Sequence, residues 1–146
     1  MTTDSFSARW APRLLSLLRI FAAFLFICHG TQKLFGLPGA GQPAPFHLFT
    51  LFGTAGVLET FGGLLLFVGL FTRPVAFLLS GEMAVAYFLM HAKGGFFPIQ
   101  NHGELPVLFC FLWLYLSAVG GGAWSVDAWL AARRRRPAAA AAAAAP

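Results

Sequence analysis

The residues of this sequence that could do chemistry are the ionisable ones set inside apolar runs. Arg19, His29, Lys33, Glu59, Glu82 and His91 all interrupt stretches that are otherwise hydrophobic. A charge near the centre of a bilayer costs about 2.5–3.5 kcal/mol on insertion scales unless it is paired or hydrated, so each needs a partner or a task. On a helix, Arg19, His29 and Lys33 fall within an arc of about 80° at 100° per residue and mark one face, which should point inward. Glu59 lies among Ala55, Gly56, Gly62 and Gly63, and a stripe of small residues lets membrane helices approach closely. Glu59 should therefore sit in a helix interface. Glu82 is central in its own run. At 1.5 Å per residue, Arg19 stands about 7 Å from one end of the bundle, Glu82 about 12 Å and Glu59 about 18 Å. An extended arginine bridges such offsets, so a buried ion pair of Arg19 with Glu59 or Glu82 is expected, with proton handling as the other role for these three.

A second constellation gathers at the opposite end. His29, Lys33 and His91 arrive there, beside Asn101, His102 and Glu104 of the adjoining loop. Ligand binding or proton handling is one reading. The other is structural, with Lys33 snorkelling, His91 and Lys93 capping a helix end, and Glu104 as the N-terminal charge of the following helix. Scattered histidines without an i, i+4 pair do not make a zinc pattern, so no metal site is expected. Cys28 and Cys110 are isolated, belong to no Cys-x-x-Cys pair, and read as free thiols. No residue can be assigned as catalytic from its type and spacing.

The elements that must position these residues follow from composition. The chain has 146 residues, 58% of them hydrophobic and 10% charged. A soluble domain carries about 25% charged residues, so lipid must be the solvent for most of this one. Four runs are long enough to cross a bilayer, over 14–35, 46–71, 74–91 and 105–120. They are continuously apolar rather than alternating, which excludes barrel strands and predicts an all-α, four-helix integral membrane bundle. The 17 phenylalanines read as packing material. The first run is too long for a secretory signal, contains Arg19 and ends in no clean cleavage site, so it reads as a retained span.

Arg9 and Arg13 precede the first run, Arg73 separates the second from the third, and Arg133 to Arg136 follow the fourth. An even number of spans puts all three groups on one side, which the positive-inside rule names as cytoplasmic. The organisation is then a cytoplasmic segment 1–13 that looks loose, a membrane domain 14–130, and a basic, alanine-rich tail 131–146 that is frayed or unstructured. The terminal arginines account for most of the +5 charge. They fit topology and anionic-lipid attraction better than nucleic-acid binding.

The order of polar residues and glycines adds a resemblance. Arg19, then 29–36 (HGTQKLFG), 59–66 (ETFGGLLL), 69–73 (GLFTR), 101–104 (NHGE) and 122–127 (GAWSVD) together resemble the DoxX family of small four-helix bacterial membrane proteins. The resemblance implies location in the bacterial inner (plasma) membrane and an association with redox metabolism. The name-giving relatives are small subunits of a thiosulfate:quinone oxidoreductase, and other members are linked to complexes that defend against oxidative stress. No haem, flavin or iron–sulfur pattern and no nucleotide-binding glycine loop appears. If electrons pass through this chain, a quinone in the bilayer is the natural carrier.

Three functional classes stay open: a non-catalytic membrane subunit of a redox or stress-related complex, a quinone-linked oxidoreductase subunit, and a carrier of a small or lipidic solute. Internal repeats common in transporters are not evident, which ranks the last lowest. Partners include the bilayer and a membrane or soluble redox protein, with self-association into a homo-oligomer also open. Reporter fusions at the two termini should both read as cytoplasmic. A periplasmic C-terminus would mean that one span has been miscounted.

Overall fold

The computed structural model describes residues 4–39 and 49–143, and the side chains of 6–39 and 49–134. The described residues are helical, without strands. Helix α1 is Asp4–Phe35, α2 is Leu51–Val68, α3 is Thr72–Gly94, α4 is the single turn Pro98–Asn101, α5 is Glu104–Val119 and α6 is Val126–Ala143. Three helices are long and apolar enough to cross a membrane, namely α1 from Phe6, α2 and α3, while α5 is a shorter apolar helix of 16 residues. This is a multi-pass membrane protein.

Several boundaries differ from the sequence expectation. Helix α1 begins ten residues before Leu14 and runs through Pro12, so the N-terminal segment is not loose from Asp4 onward. The carbonyl of Pro12 is held from two sides, by the Ser16 hydroxyl at 2.8 Å and the Ala123 amide at 3.1 Å, which ties this turn to the loop after α5. Helix α6 carries the arginines and most of the alanine tract as one helix. The expected start of the second span at Phe46 and the last residues of the tail lie outside the described residues. Helix α2 starts instead at Leu51, where the Thr50 hydroxyl accepts the Gly53 amide as an N-cap at 3.1 Å.

Helices α1 and α2 pack antiparallel through glycines. A Cβ on Gly63 would meet Ile27, one on Gly30 would meet the Thr60 backbone nitrogen at 2.6 Å, and one on Gly56 would meet Leu34. Positions thus descend along α2 as they ascend along α1, the register of a close pair. Helix α3 packs most extensively on α5, also antiparallel, with Ser80 donating to the Cys110 carbonyl at 2.8 Å. Phe26, Leu66, Leu79, Trp113 and Leu116 fill the centre between the two pairs.

One end of the bundle is closed by a polar clasp centred on Arg19, whose side chain is 0% exposed. The guanidinium donates to the carbonyls of Leu66, Phe67 (2.6 Å), Gly121 (2.8 Å) and Trp124 (2.6 Å). The last carbonyls of α2 have no intrahelical partner and present the negative end of the helix dipole, so a cation there satisfies both needs. Gly69 makes the close approach possible: it ends α2 with φ 72°, and a Cβ there would lie 2.5 Å from that of Ser125 and 3.0 Å from Arg19 Cζ. Asp127 completes the clasp by accepting the amides of Phe71 (2.9 Å) and Thr72 (2.8 Å) at the start of α3.

The Arg19–glutamate pair expected from the sequence is therefore corrected, because four carbonyls occupy the guanidinium. Arg19→Leu should lower stability by about 3 kcal/mol or more, since it strands buried carbonyls in a low-dielectric setting. Asp127→Asn should cost less, because it keeps one acceptor. Thermal unfolding of both variants in one detergent measures the order, and an Arg19→Leu protein as stable as the parent would contradict the clasp.

Candidate functional site

At the other end, α1 carries Phe26, His29 and Lys33 at helical spacing, so the three share a face. Helix α2 places Glu59 opposite, inside a π-helical turn, Leu58–Gly62, that buries Glu59 and Thr60 in succession. Such turns widen a helix by one residue and occur often at functional sites. Helix α3 has a second π-helical turn, Tyr87–His91, which ends on His91. Between these elements and α5 lies a cavity of about 220 Å³ lined by Phe26, His29, Lys33, Glu59, Met83, Ala86, His91, His102, Leu105, Pro106 and Phe109.

The polar wall is built around an ion pair. Lys33 Nζ donates to Glu59 Oε1, and it also lies 5.8 Å from the centre of the Phe52 ring. Glu59 is 2% exposed, and its second oxygen, Oε2, is buried without a hydrogen-bond partner among the described residues. Its true partner is thus Lys33, which sits within side-chain reach at the same level, rather than Arg19 near the middle of α1, which is held in the clasp. The opposite wall is aromatic: Phe26 and Phe109 pack edge to face at 5.2 Å, and Phe109 stacks on Trp113 at 5.5 Å. One side of the cavity therefore offers hydrogen bonds and charge, and the other offers flat apolar surface.

His91 is oriented by the loop after α3. The Asn101 carbonyl lies 3.1 Å from Nδ1, and a carbonyl can only accept, so Nδ1 carries hydrogen and Nε2 holds the lone pair of the neutral ring. The buried Asn101 side chain donates to the Gly95 carbonyl at 2.8 Å and accepts the Gly103 amide at 2.8 Å. Asn101 is consumed in shaping this loop and does not line the cavity. Glu104 is exposed at the first position of α5 and also stands outside it, as the helix-terminus charge of the structural reading. Glu82 precedes the wall residue Met83; both of its oxygens are buried without a partner among the described residues, within electrostatic reach of Glu59 and Lys33.

Of the expected outer cluster, then, His29, Lys33, His91 and His102 meet at the cavity, and Glu59 joins them from the other group. The apolar lining from Phe26, Met83, Ala86 and Phe109 was not singled out from the sequence. Its signal was present as i, i+3 spacing to His29 and within Met83 and Ala86, but a face acquires meaning only once its neighbour is known. Among the described residues, no group of three or more His, Cys, Asp or Glu side chains could hold a metal ion. Cys28 and Cys110 are free thiols.

The geometry can be set beside known proteins. The DoxX family matches residues 14–92, which hold α1 from Leu14 to Phe35, α2 and nearly all of α3. The chain belongs to the DoxX family. An uncharacterized protein of Haemophilus influenzae is 44% identical over 127 residues, covering 82% of this chain and 92% of the relative. A more distant relative, "Putative oxidoreductase CatD" of Bacillus subtilis, is 26% identical over 121 residues, covering 76% of this chain and 82% of its own. No solved structure matches this DoxX chain.

The ion pair makes a direct prediction. Lys33→Met leaves Glu59 buried with neither oxygen paired, and Glu59→Leu leaves Lys33 without its acid. Each single change should destabilise this DoxX protein, and the double change should recover part of the loss, with a coupling of about 1–3 kcal/mol. Thermal unfolding of the four proteins gives that coupling, and strictly additive losses would show that the pair contributes nothing.

Proposed function

We propose that this protein is a four-span membrane subunit of a redox complex in the bacterial inner membrane, and that its cavity receives the ring of a quinone carrier. The observation behind this reading is the convergence of Lys33, Glu59 and three histidines on a small cavity whose other wall is aromatic. Ligand sites are usually apolar hollows with a few convergent polar groups, and polar residues at membrane depth usually mark a ligand or proton path. The name of the Bacillus subtilis relative, an oxidoreductase, points the same way.

The residues fit such a carrier. A cavity of about 220 Å³ suits one substituted ring and leaves an isoprenoid tail among the lipid chains. Phe26 and Phe109 supply faces on which a flat ring can lie. Lys33 and any protonated histidine donate hydrogen bonds to a carbonyl oxygen, while Glu59 Oε2 accepts one from a hydroxyl. When bound, a quinone supplies two-electron, two-proton redox chemistry. The chain's part is to orient the ring, keep bulk water from it, and hold protons on His91, His102 or Glu59 beside the oxygens.

The four-span arrangement is supported by α5. It joins the same two levels as the membrane-length α3, from Asn101 beside His91 at one end to Gly121 beside Thr72 at the other. At 16 residues it rises about 24 Å, short of a typical hydrocarbon core of about 30 Å, so local thinning or snorkelling must cover the difference. Both termini then lie with the arginines on the cytoplasmic side.

Binding of a short-tailed ubiquinone to the purified protein in detergent, followed by tryptophan quenching, tests the site. Lys33→Met and His29→Phe should each weaken binding about tenfold, the loss of one good hydrogen bond donated to a quinone oxygen. Saturable binding unchanged by both substitutions, or none to the parent protein, would remove the quinone and leave the subunit role alone.

A further inference from the structure

A second and larger cavity, of about 540 Å³, lies at the clasp end, between the start of α3, the glycine loop after α5 and the first turn of α6. Thr72, Arg73, Gly120 to Gly122 and Asp127 line it. Its one acidic group is already engaged: both Asp127 oxygens accept backbone amides, and Arg19 lies within electrostatic reach behind it. Its cation is free. Arg73 is exposed and forms no ion pair among the described residues, and a Cβ on Gly120 would lie 3.5 Å from its Nε, so the guanidinium rests along the glycine loop. The Thr72 side chain is 0% exposed, yet its hydroxyl has no hydrogen-bond partner among the described residues.

The position of the cavity says what it meets. Trp10, Trp124 and Trp129 are exposed at this end, and Arg13 and Arg133 lie over the rings of Trp10 and Trp129, at 5.5 and 3.8 Å. Amphipathic tryptophans with arginines beside them mark the headgroup level of a bilayer. There the abundant ligand is phosphate, which a guanidinium binds in bidentate fashion and a hydroxyl can also donate to. Glycines at 120–122 put no side chain across the opening. The arginines at 13, 73 and 133–136 give this end an excess of positive charge, which favours a lipid of net negative charge over a zwitterionic one.

We propose that this cavity binds the phosphate of an anionic phospholipid, with Arg73 as the principal contact and the Thr72 hydroxyl as a second donor. The site is separate from the histidine-lined cavity and does not depend on what that cavity holds.

The test uses the full chain in a neutral detergent, titrated with short-chain phosphatidylglycerol, phosphatidylcholine of the same chain length, or soluble glycerol phosphate. Native mass spectrometry and thermal unfolding are the readouts. Phosphatidylglycerol should remain as a one-to-one adduct and raise the midpoint by roughly 3 °C or more, and phosphatidylcholine should do neither. Arg73→Gln should weaken phosphatidylglycerol binding about tenfold, and Arg73→Lys less. Ala128→Phe, which fills the cavity and leaves every arginine in place, should abolish the adduct, whereas Lys93→Gln at the other end should not change it. Equal binding of the two lipids, or undiminished binding by both Arg73→Gln and Ala128→Phe, would overturn the proposal. A shift produced by glycerol phosphate alone would overturn the lipid assignment in favour of a soluble phosphate ester.

Discussion

A helix that ends inside or at the edge of a bilayer leaves carbonyls that its own ladder does not satisfy, and hydrocarbon supplies no water to do so. At the end of α2 the Gly69 and Leu70 amides reach back to Leu66 and Leu65, and one guanidinium supplies the remaining donors. Arg19 donates to two carbonyls at the end of α2 and two in the loop after α5, so a single side chain on α1 fixes both against it. A fixed cation with several donors is what this junction requires, and arginine holds its charge in surroundings where lysine would lose it more easily.

With that end secured, glycines carry the α1–α2 contact along the bundle. The close approach of Gly30 to the Thr60 backbone sets the level at which Lys33 meets Glu59. Had Gly30 a side chain, the helices would separate and the pair would lengthen. The π-helical turn at Leu58–Gly62 is the local adjustment that buries Glu59 and Thr60 in succession, whereas the turn Tyr87–His91 on α3 buries none of its residues and ends on His91.

The two ends consequently differ in how their polar atoms are used. At the clasp, Arg19, Asp127 and Ser16 are all bonded, and Gly69, Ser125 and Asp127 of the motif pieces around 69–73 and 122–127 serve folding. Toward the histidine end, Glu59 Oε2, Thr60 Oγ1 and both oxygens of Glu82 are buried without partners among the described residues. Unsatisfied polar groups cost stability, and proteins keep them mainly where something else uses them. Unpartnered buried atoms thus concentrate toward the histidine-lined cavity, with Thr72 Oγ1 at the clasp and Trp113 Nε1 in the core as the others among the described residues.

Much was legible in the sequence because lipid imposes simple rules. Apolar length marked the helices and the glycine stripe around Glu59 an interface, while of the arc expected to face inward Arg19 is buried, Lys33 half-buried and His29 exposed at the cavity. The grouping of His29, Lys33, His91 and His102 was also readable, since helix direction alone brings them to one end. Partner choice was not. Charge and depth made Arg19–Glu59 reasonable, but a one-dimensional reading counts side chains and overlooks the backbone carbonyls that hold Arg19. The π-helical turns, the aromatic wall of Phe26 and Phe109, and the withdrawal of Asn101 into its loop depend on which helix faces meet and at what rotation. Those are decided by packing among residues far apart in the chain, where shape and hydrogen-bond geometry, rather than local pattern, select one arrangement.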